Sequence, residues 1–191
     1  MRATDLLAQI ETVGRHPLTA GYRRFSWSAA DAEMRAWFTA EASGRALAVE
    51  TDRNGNLWAY RGDRTAGGVV ATGSHLDSVP DGGQFDGPLG IASAFAALDL
   101  LDAQGVELGR PLAVVAFVEE EGARFGVACL GSRLAAGLIE LKTANGLSDA
   151  EGITWVEAMA RAGLDPSSIG ADRERLAQLK GFVELHIEQG R

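Results

Sequence analysis

The sequence is short of cysteine, of positive charge and of long apolar runs, and each shortage excludes a class of protein. Cys129 is the single cysteine among 191 residues, so no disulfide within the chain can staple a small secreted fold. Acidic residues outnumber basic ones by 26 to 18, which disfavours nucleic acid or an anionic membrane surface as a partner. No run approaches the roughly 18 apolar residues of a membrane-spanning helix, and the start lacks a signal-peptide pattern. We therefore expect a cytoplasmic protein.

Glycine is the residue type in clear excess. It occupies 24 of 191 positions, about twice the usual share, and clusters in the segments GSHLDSVPDGGQFDGPLG and EEEGARFGVACLGSR. Because glycine costs backbone entropy, such clusters indicate turns that hold a particular shape. Otherwise the composition is that of an ordinary globular protein, with 46% hydrophobic and 23% charged residues. The length fits one domain or part of one.

Hydrophobic patterning indicates an α/β fold. Two near-continuous apolar runs, residues 68–72 and 111–118, are typical of strands buried on both faces. Between them, residues 88–103 have apolar positions at helical spacing, and a further strand-like run covers residues 181–187. An Asn-Gly turn within residues 46–61 predicts a hairpin. We therefore predict a mostly parallel, twisted sheet with helices on both faces and an antiparallel edge hairpin.

Several further segments have helical patterns. Residues 5–13 carry apolar side chains at helical spacing, and Ser28 with Asp31 forms a capping pattern for a following helix. Shorter helices are predicted over residues 129–136, 154–162 and 172–179.

Polar side chains with metal-binding chemistry follow the predicted strands. His75 comes directly after the first apolar run, a trio of glutamates (residues 119–121) follows the second, and His186 lies at the end of the third. In open α/β sheets, ligands collect outside the carboxyl ends of the strands. We therefore expect these groups to meet at one edge of the sheet, where Asp86 joins them from the glycine-rich loop.

Imidazole and carboxylate ligands without thiolates suit zinc or manganese. One carboxylate can bridge two metal ions about 3.5–4 Å apart. Of two adjacent carboxylates, one can bind metal while its neighbour accepts a proton from an activated water. Asp77, two residues after His75, can accept the other imidazole N–H and fix the tautomer. Together these residue types predict a metal centre with a general base.

Taken singly, each of these residues also has a structural interpretation. A histidine beside a strand is more often packed or at a rim than a ligand, and a run of glutamates is usually a solvated turn. Asp86 is a suitable N-cap for the helix that begins at Pro88. Cys129 is interpreted as a small buried hydrophobe. The functional interpretation depends on all these groups lying together at the strand ends.

Three motifs resemble a known enzyme family. GSHLDSVPDGGQFDGPLG, EEEGARFGVACLGSR and FVELHIEQGR are similar to motifs of the dinuclear metal-dependent amidohydrolases related to the zinc aminoacylase/carboxypeptidase family. The branch is that of allantoate amidohydrolases, N-carbamoyl-L-amino-acid hydrolases and β-ureidopropionases. The resemblance implies hydrolysis of a C–N bond in a small ureido or N-carbamoyl substrate, with two divalent ions, zinc or manganese. Allantoate is the first expected substrate and an N-carbamoyl-L-amino acid the second.

The resemblance also implies roles for the metal-binding residues. His75 and His186 resemble the ligands of one metal ion, and Asp86 resembles the carboxylate that bridges to the second ion. Glu121, directly before Gly122, resembles the carboxylate ligand of that second ion.

Three further positions carry over from the family motifs. Glu120 resembles the general base, Asp77 resembles the residue that orients His75, and Gln189 matches a position that contacts substrate. The resemblance also implies a cis peptide between Asp86 and Gly87.

Members of this family are much longer than the present chain. We therefore expect residues 1–191 to be the N-terminal portion of the metal-binding catalytic domain, with the lid/dimerisation domain and the C-terminal catalytic segment absent. The parent protein is expected to be a homodimer through the missing domain. The final histidine of the second metal site would also be missing, so this chain is expected to hold one ion well and to be inactive alone.

Two other functions stay open on the sequence. One belongs to another class, a non-catalytic metal- or partner-binding module that reuses the fold, because fold does not fix function. The other is an aminoacylase or peptidase, which a panel of N-carbamoyl, N-acyl and dipeptide substrates would separate from a ureidase.

Overall fold

One sheet of five strands organises residues 1–188, the part of the chain that this computed structural model describes. The strand order is β1-β2-β4-β3-β5, with β3 parallel to both β4 and β5 and with β2 antiparallel to both β1 and β4. All strands except β2 therefore run in the same direction. The strands are β1 Ala48–Thr51, β2 Leu57–Arg61, β3 Val69–His75, β4 Leu112–Phe117 and β5 Leu179–Val183.

Seven α-helices and two short 3-10 turns connect and cover these strands in the described residues. None of these helices is long and apolar enough to cross a membrane. The helices are α1 Ala3–Gln9, α2 Ala29–Gly44, α3 Pro88–Ala103, α4 Leu130–Ala135, α5 Leu141–Gly146, α6 Trp155–Arg161 and α7 Arg173–Gln178, and the 3-10 turns are Arg64–Ala66 and Pro166–Ser168.

The main core lies between one face of the sheet and helices α1, α2 and α3. Leu6 of α1, Phe38 of α2 and Phe95 of α3 are completely buried there against Val114 of β4. The rings of Phe38 and Phe95 are 5.4 Å apart. Burial of each large apolar side chain stabilises the fold by about 1.5–3 kcal/mol, so this layer holds α3 against the sheet.

The opposite face of the sheet has its own cluster. Trp58 and Tyr60 of β2 stack with an interplanar angle of 7°, and the guanidinium of Arg175 from α7 lies over both rings. Arg175 also pairs with Glu50 and Asp172, so its charge is compensated. A third cluster gathers α4, α5 and α6 around the buried Trp155. The predicted α/β class, with helices on both faces and an edge hairpin, is confirmed.

Two predicted elements end earlier than expected. The first helix ends at Gln9 rather than at residue 13. Beyond it, Arg24 donates from Nη2 to the carbonyl of Ile10 and from Nε to that of Val13, so these carbonyls are satisfied outside the helix. The last strand covers Leu179–Val183 instead of residues 181–187, so the chain leaves the sheet before the second histidine of interest.

Candidate active site

The parallel pairing of β3 with β4 creates the site. In this register His75 lies opposite Phe117, so the two strands end side by side. The segment after β3 supplies Asp77, and the segment after β4 supplies the three glutamates 119–121. The loop that leads into α3 contributes Asp86. This is the carboxyl edge of the sheet, where α/β folds bind ligands.

His75 is completely buried and its orientation is fixed. Its Nδ1 lies 3.0 Å from the backbone carbonyl of Asp77, which selects the tautomer that donates from Nδ1. Gly87, with a φ of 82°, packs so closely on the ring that a Cβ at this position would lie 2.6 Å from ring atoms of His75. The Nε2 atom of His75 is therefore left to face the site.

One possible ligand atom from each of His75, His186 and Asp86 lies close to the other two. The Nε2 atom of His75 lies 3.3 Å from Nε2 of His186 and 3.7 Å from Oδ1 of Asp86. The Asp86 oxygen is 3.3 Å from Nε2 of His186. Zinc bound tetrahedrally at about 2.0–2.1 Å separates its ligand atoms by roughly 3.3–3.5 Å. The set of two imidazoles and one carboxylate therefore fits a divalent ion, with a coordination position left for another ligand.

A second group of possible ligands shares His75. Ligand atoms of His75, Glu120 and Glu121 all lie within 4.8 Å of one another. The Glu120 Oε2 atom is 3.8 Å from Nε2 of His75. The two groups meet at one imidazole, so the structure places the predicted base beside the predicted metal ligands.

The carboxylate of Asp77 binds the main chain of residues 119–121, called the glutamate turn below, and not the imidazole of His75. It accepts the backbone N–H of Glu120 at 3.2 Å and that of Glu121 at 3.1 Å. Its distance to Nδ1 of His75 is 3.7 Å, which is too long for a hydrogen bond. The Nδ1 partner is the main-chain carbonyl of the same residue, so the side chain of Asp77 has a different contact from the one expected.

The electrostatics of the site favour a bound cation. Burial lowers the pKa of His75, but Asp86, Asp77 and Glu120 outweigh that effect and raise it to about 9. Burial raises the pKa of Asp77 to about 7, opposed by the charge of His75. Burial also raises the pKa of Glu121. Several carboxylates therefore crowd around one buried imidazole, and positive charge at this point would relieve their repulsion.

The glutamate turn has a strained backbone. Glu119 takes a φ of 51°, a left-handed conformation that is unusual for a residue with a side chain. Its carboxylate accepts the backbone N–H groups of Arg124 and Phe125, and its own N–H donates to Ser26 Oγ. These bonds close the turn, so Glu119 supports the geometry from which the next two glutamates enter the site.

Residues 71–191 match the family model described as Peptidase family M20/M25/M40, and this stretch is more than half of the chain. The chain belongs to the M20/M25/M40 family. The matched region begins within β3 and contains every candidate ligand, so the site lies inside the M20 part of the chain.

Two named relatives align with nearly the whole of this chain but with less than half of their own length. The chain is 39% identical to an N-carbamoyl-L-amino acid amidohydrolase of Geobacillus stearothermophilus over 191 residues, which is 100% of this chain and 46% of that enzyme. It is 34% identical to the allantoate amidohydrolase of Escherichia coli strain K12 over 97% of this chain and 45% of that enzyme. The chain thus spans less than half of these relatives.

A solved structure shows the same fold. A hydantoinase/carbamoylase family amidase from Burkholderia ambifaria superimposes with a TM-score of 0.83 at 34% sequence identity. The comparison covers 100% of this chain and 46% of that structure. The resemblance to this branch, first indicated by three motifs, is thereby confirmed.

The remaining expectations for the site have different outcomes. Gln189 lies outside the described residues. The cis peptide expected between Asp86 and Gly87 is wrong, because the peptide bonds of the described residues are all trans. A trans bond is favoured by about 3–4 kcal/mol where proline is absent. The roles of the individual ligands and of Glu120 stay predictions.

Sequence reasoning missed two residues that contact the glutamates. Ser26 lies far away in the sequence, and no local pattern marks its bond to Glu119. Cys129 was interpreted as a buried hydrophobe, but it is half-buried and its Sγ donates to Oε1 of Glu120 at 3.3 Å. Only the folded chain brings these residues to the turn.

Proposed function

We propose that the complete protein hydrolyses a C–N bond of a small ureido or N-carbamoyl substrate in a metal-dependent reaction. The observation that carries this proposal is the convergence of His75, Asp86 and His186 beside Glu120. Relatives named as carbamoyl-amino-acid and allantoate amidohydrolases support the same class of reaction. The present chain forms the N-terminal portion of the catalytic domain in this proposal.

His75, His186 and Asp86 would hold the first ion, and Asp86 with Glu121 would contribute to a second. When bound, zinc or manganese supplies Lewis-acid polarisation of the substrate carbonyl and lowers the pKa of water. The first group is supported by its two distances of 3.3 Å, which match a tetrahedral ion, while the third, 3.7 Å between His75 and Asp86, is slightly longer. The second ion site is supported by the position of Glu121 beside the imidazole of His75.

Glu120 acts as the general base and acid in this proposal. It would accept a proton from the attacking water and return it to the nitrogen that leaves. Its carboxylate is partly open to solvent and lies next to the proposed ligands, as this role requires. Asp77 would hold the turn through the N–H groups of Glu120 and Glu121, which keeps the base in place.

The substrate is proposed as either allantoate or an N-carbamoyl-L-amino acid. The motifs gave the first preference to allantoate. Relatives named for N-carbamoyl-L-amino acids are 39% and 32% identical to this chain and an allantoate amidohydrolase is 34% identical, so both substrates stay in the proposal. Both contain a ureido group, so the same arrangement of metal ligands and base would serve either one.

An ammonia-release assay tests the proposal. The complete protein, loaded with manganese or zinc, is given allantoate, N-carbamoyl-L-amino acids, N-acyl amino acids and dipeptides, with release of free amine measured for the last two. We expect ammonia from at least one ureido substrate and no turnover of the others. Tight metal binding without turnover of any substrate would favour the non-catalytic module instead.

Metal identity, assembly and location complete the proposal. We propose zinc or manganese because nitrogen and carboxylate oxygen donors suit both ions. The homodimeric parent follows from the resemblance to the amidohydrolase branch. The cytoplasmic location is proposed because the single cysteine requires no oxidising compartment. Elemental analysis, light scattering of the complete protein and cell fractionation test these three statements separately.

A further inference from the structure

The segment that carries His186 leaves the sheet before it reaches the site. The ladder between β3 and β5 ends with the pairing of Thr72 and Val183. From there to the end of the described residues the chain has no regular secondary structure. Something other than the ladder must therefore hold His186 opposite His75.

One side-chain hydrogen bond continues the connection where the ladder stops. The hydroxyl of Ser74, on β3, donates to Oε1 of Glu184 at 2.6 Å. Ser74 is only 1% exposed, and it directly precedes His75. Glu184 lies two residues before His186, so this bond links the two histidine-bearing segments immediately next to the proposed metal ligands.

The first turn of α3 packs against both Ser74 and the segment that carries His186. A Cβ at Gly90 would lie 2.6 Å from the carbonyl oxygen of Leu185 and 2.7 Å from Cβ of Ser74. Only glycine allows the helix to come this close. The helix therefore limits how far the segment can move away from β3 on that side.

We propose that Glu184 is a positioning residue, which holds His186 in its ligand position through the hydrogen bond to Ser74 against the first turn of α3. The inference rests on the metal site of the proposed function, and it concerns a residue outside the ligand set. Leu185 and Ile187 are exposed, so apolar packing contributes little to holding this segment. In the described residues, the Ser74–Glu184 hydrogen bond therefore positions His186 together with the packing of Gly90 against Leu185.

Loss of this bond weakens metal binding without removing a ligand. Residues that orient metal ligands typically change metal affinity by about 10- to 100-fold when they are replaced. Because Glu184 acts through the main chain and not through the imidazole, we expect the lower end, about 10-fold, for Glu184→Ala. Ser74→Ala should give a similar loss, and the double variant should be no weaker than either single one.

The test titrates the chain with Co²⁺ alone and follows the visible absorption of the bound ion. Glu184→Gln retains an oxygen acceptor for the Ser74 hydroxyl and should restore affinity to within about 3-fold of the wild-type chain. Glu174→Ala, at an exposed position in α7, removes the same charge and is the matched control. A second measurement needs no metal: amide hydrogen exchange at residues 185–187 should become faster in Glu184→Ala but not in the control.

The outcomes separate this inference from the proposed function. Wild-type affinity in Glu184→Ala would overturn the positioning role while leaving the metal site intact. Equal losses in Glu184→Gln and Glu184→Ala would also overturn it, because they would indicate an effect of charge alone. If the wild-type chain does not bind Co²⁺, the metal site fails, and hydrogen exchange then decides whether Glu184 holds the segment.

Discussion

Two strands deliver the two histidines of the site, and they do so in different ways. β3 is paired on both sides, by β4 and β5, and its last residue, His75, is completely buried. In the described residues β5 is paired on one side only, and the imidazole of His186 beyond it is 34% exposed. One proposed ligand is therefore part of the core, whereas the other is held at an edge.

The difference shows that the two histidines of one site are positioned with different rigidity. The position of His75 follows from sheet pairing, from the Asp77 carbonyl and from contact with Gly87. The position of His186 depends on a few local contacts beyond the end of a strand. We expect changes at the first histidine to alter folding and metal binding together, and changes at the second to alter metal binding alone.

The largest effect on turnover should come from replacing the proposed general base. Glu120→Gln removes the proposed base but keeps its size, so turnover by the complete protein should fall at least about 100-fold. Metal content should not change, because the proposed ligands are other residues. Steady-state kinetics with elemental analysis measures both quantities, and undiminished turnover would exclude Glu120 as the base.

Substitutions of the two histidines should differ in their effect on the free energy of unfolding, although both affect metal binding. His75→Ala should abolish tight metal binding and lower the free energy of unfolding of the metal-free chain by about 1–3 kcal/mol, since it leaves buried polar groups without a partner. His186→Ala should weaken metal binding but change stability by less than about 0.5 kcal/mol, as is usual at exposed positions. Calorimetric metal titration and urea unfolding test the pair, and equal destabilisation would contradict the comparison.

Two glycines offer a matched test of the same contrast. Gly87→Ala places a Cβ 2.6 Å from the ring of His75 at a φ of 82°, so we expect a loss of at least about 1 kcal/mol in stability. Gly181→Ala, on β5, meets no atom within 4 Å and should be nearly neutral. Thermal unfolding of both variants measures the difference. Similar melting temperatures would show that the contact between Gly87 and the ring of His75 is not rigid.

The smallest effect concerns the open edge of β5. Phe182 is 41% exposed and Val183 is 67% exposed, and unpaired apolar edges promote association between chains. The 191-residue chain should therefore self-associate at high concentration. Val183→Lys should shift it toward monomer in light scattering, whereas a wild-type chain that is monomeric throughout would refute this expectation.

The sequence predicted most of the architecture because its strands have strong local signals. The apolar runs at β3 and β4, the helix from Pro88 and the Asn-Gly hairpin were all found where the structure has them. The helix Leu141–Gly146 was missed, since its polar composition gives no apolar stripe. The end of β5 was misplaced because apolar residues continue to Ile187 although pairing stops at Val183.

For the site, the sequence indicated the candidate ligand and base residues but not the contacts that support them. Histidines and carboxylates after apolar runs are recognisable, and the structure brings His75, Asp86 and His186 together. The bonds from Ser26 to the glutamate turn and from Ser74 to Glu184 join residues far apart in the chain. Such contacts depend on tertiary structure, and no spacing rule reveals them.

We expect a divalent ion to bind between His75, at the end of β3, and His186, which lies beyond the end of β5. Zinc K-edge X-ray absorption of the chain loaded with one equivalent of zinc tests it most directly. We expect nitrogen and oxygen donors at about 2.0–2.1 Å, with outer scattering from two imidazoles. One imidazole should be lost in His186→Ala and none in His16→Ala. A sulfur donor at about 2.3 Å from Cys129, or a shell without imidazole, would contradict it.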